Sequence, residues 1–120
     1  MKPSILMVLT PAFAEAKVFY RDVLGLRLAS ELSDMAIYAL EGGAELHLFE
    51  CAAPAPEGHG ERAASVIVFE VTDLDARMRD LKAKGVQFLH ETPAGNGLYR
   101  YAAFTAPGGV VHELAERIRN

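Results

Sequence analysis

Two ionisable residues in this 120-residue chain, His47 and Glu113, occupy the same place in a phrase written twice: EGGAELHLFE at 41–50 and PGGVVHELAE at 107–116. A constant shift of 66 lays Gly42 on Gly108, Gly43 on Gly109, Leu48 on Leu114 and Glu50 on Glu116, and it puts His47 on Glu113. A possible base and a possible acid at equivalent places in a repeated unit are expected to face each other. A carboxylate within hydrogen-bond reach fixes the tautomer of an imidazole and raises its basicity. The chemistry expected is therefore proton transfer, with His47 as general base and Glu113 orienting it or acting as acid.

The elements that must position this pair repeat as well. SILMVLT (4–10) is a β-rich run followed by Pro11 and a helical pattern to about Leu24; ASVIVFEV (64–71) is followed by a helical pattern from Asp73 to Lys84. Gly25 and Gly85 close the two helices, as left-handed C-terminal caps require. Thr10 can cap the first helix, and Thr72 with Asp75 three residues on resembles a capping box for the second. Leu74, Met78 and Leu81 make one apolar stripe that should pack on a sheet. Three strand candidates follow each glycine: 26–32, 35–40 and 44–50 in the first half, and 86–91, 99–105 and 110–116 in the second. Each half reads βαβββ, about 4–50 and 64–116, joined by an Ala-, Pro- and Gly-rich linker at 51–63 within one domain over 1–120.

These features resemble the vicinal oxygen chelate superfamily, which includes glyoxalase I, bleomycin-resistance proteins and extradiol dioxygenases. The resemblance is carried by AEAKVFYRDVLGLRL (14–28), GGAELHLFE (42–50), VTDLDARMRDLKAKGVQF (71–88) and APGGVVHELAE (106–116). It implies an α+β fold of two βαβββ modules forming curved mixed sheets around a ligand cup, with one helix packed on the convex face of each. Related proteins usually assemble as dimers, so a homodimer is expected.

Strand alternation sorts side chains between helix and cup. On the fourth strand Ala44, Leu46 and Leu48 suit the helix side, leaving Glu45, His47 and Phe49 for the cup. The repeat assigns Val110, His112 and Leu114 to the helix side and Val111, Glu113 and Ala115 to the cup. From the resemblance, Ile5, Met7 and Leu9 line one cup wall and Val66, Val68 and Glu70 the other. Ile5, Met7, Phe49, Val66, Val68 and Tyr101 are the expected apolar contacts for a small molecule. Glu45 and Glu70 are expected at the mouth, His112 in the core, and His59 and His90 in solvent. Cys51 has no basic sequence neighbour to activate it.

Metal-binding relatives place ligands at positions that align with Ile5, His47, Val66 and Glu113. Two of these are hydrocarbons here and donate nothing to an ion. The expectation is a small-molecule-binding protein or metal-independent enzyme without a cofactor. The alternative is a metal-dependent lyase, isomerase or dioxygenase whose divalent ion is held by His47 and Glu113 with water completing the shell.

Composition narrows the class further. At 120 residues, 51% hydrophobic and 23% charged, the chain has the make-up of a globular protein. A net charge of −4 with scattered Lys and Arg argues against a nucleic-acid partner. One cysteine, no apolar run of bilayer length and a Pro-interrupted N-terminus lead to an expectation of no membrane partner and a cytoplasmic location.

Overall fold

The computed structural model describes residues 1–51 and 65–118; the predicted linker, Cys51 apart, and His59 lie outside them. Among the described residues eight strands form two four-stranded sheets. They divide into two compact units, Met1–Ala64 with Pro107–Val110, and Ser65–Ala106 with Val111–Asn120. The βαβββ order expected for each half is the order found, and the fold class is α+β. Among the described residues no helix is long and apolar enough to cross a membrane.

In the first unit β1 (Ile5–Thr10) runs parallel to β4 (Glu45–Glu50), which pairs antiparallel with β3 (Met35–Ala39); β3 in turn pairs with β2 (Arg27–Glu31). The even-numbered residues Val8, Ala36, Tyr38, Leu46 and Leu48 are buried together with Phe13, Ala16, Phe19 and Tyr20 of the helical segment. Alternation thus gives the sheet one face for its helix and one open face, as a strand period of two dictates. The Tyr20 and Tyr38 rings meet at 5.9 Å across that core, and burial pushes the Tyr20 hydroxyl to a higher pKa.

The helical segment departs from the regular helix expected up to Leu24. An α-helix, α1 (Phe13–Val18), runs into a π-helical turn at Phe19–Val23. Tyr38 Oη donates to the Lys17 carbonyl at 3.0 Å, and such a side-chain partner in the backbone ladder marks where helices change register. Thr10 does serve the helix start, its Oγ1 accepting from Ala12 N at 3.1 Å, but the helix begins three residues after Thr10, with Ala12 as N-cap.

In the second unit β5 (Ile67–Glu70) runs parallel to β8 (Val110–Arg117), and β7 (Tyr99–Ala106) lies between β8 and the two-residue β6 (Ala94–Gly95). Leu74, Met78 and Leu81 of α2 (Leu74–Ala83) are buried, as their spacing predicts. The helix closes in a Schellman motif, with Gly85 N bonded to Lys82 O and Val86 N to Leu81 O. Its N-cap is Asp73 rather than the expected Thr72. Asp73 Oδ1 accepts from Ala76 N at 3.1 Å, and Glu116 of β8 takes the Leu74 N–H at 2.7 Å.

The strand predicted at 86–91 also does not form as expected. Phe88 makes an isolated bridge to Phe104, and Gln87 and Leu89 keep backbone bonds to Thr105 and Ala103. The Ala103 N–H goes instead to the imidazole Nδ1 of His90 at 3.0 Å. A side chain substitutes for a strand partner here, so His90 is half-buried and bonded rather than solvated.

Candidate functional site

The open face of the first sheet is built by register. Met7 on β1 and Ile37 on β3 stand directly beside His47; Ile5 and Ala39 flank Glu45, and Leu9 and Met35 flank Phe49. Directly opposed residues in neighbouring strands share a face, so these nine side chains form three rows of hydrocarbon, ring and thioether broken by one polar pair. Ile5 and Met7 are 50% and 57% exposed, large values for apolar residues that the same strand could have turned inward. Clustered exposed apolar surface rimmed by polar groups is the usual mark of a binding site.

His47 is held more tightly than its neighbours, its side chain only 12% exposed. Its Nε2 lies 2.9 Å from Glu45 Oε1, and its ring centroid 6.4 Å from that of Phe49. A glutamate carboxylate only accepts hydrogen bonds, so Nε2 carries the proton and Nδ1 is the acceptor of the neutral ring. The carboxylate that sets the tautomer thus comes from the same strand, two residues away. Sequence reasoning placed Glu45 on this face without giving it that role. The signal was available: in a strand the residue at i−2 is the nearest same-face neighbour.

The open face of the second sheet carries Val66 and Val68, both exposed, and half-buried Glu113, which stands opposite Val68 in register. Tyr101 on β7 is half-buried, 6.0 Å from the His90 ring. Glu70 lies 3.7 Å from Arg117. Of the residues expected to contact a small molecule, Ile5, Met7 and Phe49 share the first sheet's open face with His47. Val66, Val68 and Tyr101 belong to the second unit with Glu113.

His112 faces the other way, 1% exposed, packed edge-on against Phe69 at 5.5 Å and near Phe104 at 5.7 Å. Burial lowers its pKa to about 4, so it stays neutral at physiological pH. This histidine belongs to the core.

A tightly held catalytic metal ion needs several converging N, O or S donors. The first sheet's open face supplies His47 and Glu45 between hydrocarbons and thioethers. Among the described residues no group of three or more His, Cys, Asp or Glu side chains gathers as a metal site. This donor set does not fit a tightly held catalytic ion.

The model of the Glyoxalase/Bleomycin resistance protein/Dioxygenase superfamily matches residues 4–114. No curated protein matches the sequence. Among solved structures the chain is similar to an antibiotic binding protein from a Streptomyces species, at 22% identity and TM-score 0.78 over 98% of this chain and 97% of that one. It is also similar to a lactoylglutathione lyase from Agrobacterium tumefaciens, at 21% identity and TM-score 0.72 over 94% and 91%. A glyoxalase/dioxygenase from Nostoc punctiforme aligns at 16% identity and TM-score 0.79 over 98% and 92%. At these identities the likeness concerns the fold.

Proposed function

The chain belongs to the Glyoxalase/Bleomycin resistance protein/Dioxygenase superfamily, and from that premise we propose that it is a small-molecule-binding protein, or a metal-independent enzyme, that takes an apolar ligand on the open face of its first sheet. His47 is the polar anchor, and Ile5, Met7, Ile37, Met35 and Phe49 supply the apolar contacts. The observation that carries this reading is the His47–Glu45 pair at 2.9 Å set within exposed hydrocarbon, since small-molecule sites combine apolar lining with a few fixed polar groups. Val66, Val68, Tyr101 and Glu113 are proposed as ligand contacts of the second sheet's own open face. The fold itself admits both binding and catalysis: one similar structure is an antibiotic binding protein and another a lactoylglutathione lyase.

Where a bound molecule is turned over, the chemistry open to this face is proton transfer. Glu45 holds the imidazole in one tautomer, which presents Nδ1 as the proton acceptor that a general base requires. No step through a metal is part of the proposal, because the donors beside Ile5 and Met7 do not make a chelating set.

Methionine-methyl NMR tests the location. The chain has four methionines, of which Met7 and Met35 lie on the open face and Met78 is on the buried face of α2. Titration with a flat apolar probe such as 1-naphthol should move the Met7 and Met35 methyl signals and leave Met78 in place. Movement of Met78 alone, or no movement at millimolar probe, would remove the site from this face.

A further inference from the structure

The strand pairing defines the ligand more narrowly than "apolar". Resting on the site proposed above, we infer that Glu45 is a specificity-determining residue and that the ligand is a flat, uncharged, apolar molecule presenting a hydroxyl donor. Three observations converge on this class. Nε2 of His47 is committed to Glu45 at 2.9 Å, which leaves Nδ1 as an acceptor and calls for a donor on the ligand. Glu45 itself is 45% exposed on the same face, with Ile5 and Ala39 as its lateral neighbours and no cation beside it in either strand register. An anionic ligand would meet that carboxylate with nothing in the row to offset it. The remaining surface is a pleated sheet face carrying Phe49 and two methionines, Met7 and Met35, whose thioethers adapt to flat rings and pack favourably against them.

The two halves of the claim make different demands on a probe. A hydrogen-bond donor without the apolar skeleton would gain little, because its bond to the protein largely replaces one made to water. An apolar skeleton without the donor would leave Nδ1 desolvated and unmatched. A carboxylate on the same skeleton would carry an acceptor and a negative charge to a site that already has both.

The test compares 1-naphthol, naphthalene and 1-naphthoate at pH 8, above the ordinary range of imidazole titration. The protein has no tryptophan, so naphthyl fluorescence reports binding directly, and the Met7 and Met35 methyl signals report where it occurs. 1-Naphthol should bind at least tenfold more tightly than either analogue. His47→Phe should bring 1-naphthol down to the level of naphthalene. Glu45→Gln removes the charge and frees the ring to take either tautomer, so it should narrow the naphthol-to-naphthoate ratio at least fivefold, with naphthoate gaining. Unchanged Met78 methyl signals in both variants show that the fold is intact. Naphthoate binding as tightly as naphthol at the Met7 and Met35 face would overturn this inference and leave the site standing. Failure of all three probes to perturb those methyls would overturn the site and the inference with it.

Discussion

The two glycine turns have the same backbone and different surroundings. Gly42 and Gly108 are equivalent in the repeat, and their φ values are 87° and 88°; Gly43 and Gly109 follow at 93° and 84°. A Cβ on Gly42 would meet nothing within 4 Å, whereas a Cβ on Gly108 would run into Thr10 Oγ1 and lie 3.2 Å from Thr10 Cβ. Thr10 is buried and donates to the Pro107 carbonyl at 3.1 Å, so the second turn is locked by a hydrogen bond that the first does not share. The same contrast runs along the strands that follow. Leu46 becomes the buried His112, and the Glu45–His47 pair becomes Val111 and Glu113. Repetition preserves conformation; what each copy touches has diverged, and function has to be read from the second property.

The largest expected effect tests that contrast directly. Gly108→Ala combines left-handed strain of about 1–2 kcal/mol with overpacking of about 1–3 kcal/mol, whereas Gly42→Ala carries the strain alone. Urea unfolding should show Gly108→Ala to be the more damaging by about 2 kcal/mol. Thr10→Ala in the Gly108→Ala background should recover part of the difference, and strict additivity would show that the contact is not its source.

A pH-dependent effect is expected of His112→Leu, which copies the residue found at 46. The folded pKa of His112, about 4, lies below the ordinary 6.5, so the unfolded chain binds the proton more tightly between those values. Stability from this group is intact above pH 6.5 and is lost as pH falls toward 4, by about 3 kcal/mol in all. Unfolding free energies measured across that window should fall less steeply with acid in His112→Leu than in the parent. Parallel curves would mean that burial does not hold the imidazole neutral.

A smaller effect separates the carboxylates Glu50 and Glu116. Glu116 accepts from the first N–H of α2, while Ala12, the N-cap of α1, has no side chain that could do the same. Glu116→Ala should cost about 1 kcal/mol of stability and Glu50→Ala less than half of that. Equal losses would remove the capping role.

The repeat, the βαβββ order and the two faces of β4 and β8 were legible because period-two alternation and paired glycines leave strong local marks. The strand expected at 86–91 was not, because its failure depends on the His90 ring reaching the Ala103 N–H, a tertiary contact with no local signature. The shift of the α2 cap from Thr72 to Asp73 turns on which side chain reaches Ala76 N, with Glu116 arriving from a distant strand. The π-turn follows from Tyr38, another long-range partner. At the candidate site Glu45, His47 and Phe49 were legible from alternation, whereas Ile5 and Met7 came from the family resemblance; the repeat drew attention to Glu113 as the carboxylate partner, and the Glu45 contact at 2.9 Å has no counterpart in the repeated phrase.

That choice of carboxylate is the claim to test most directly. Ring 15N NMR of His47 at pH 8 distinguishes a protonated from an unprotonated Nε2, and the account predicts the Nε2–H tautomer in the parent protein. Glu45→Ala should shift the ring toward a mixture of tautomers, while Glu113→Ala should leave it unchanged. A parent ring protonated on Nδ1, or a tautomer that responds to Glu113→Ala and not to Glu45→Ala, would contradict it.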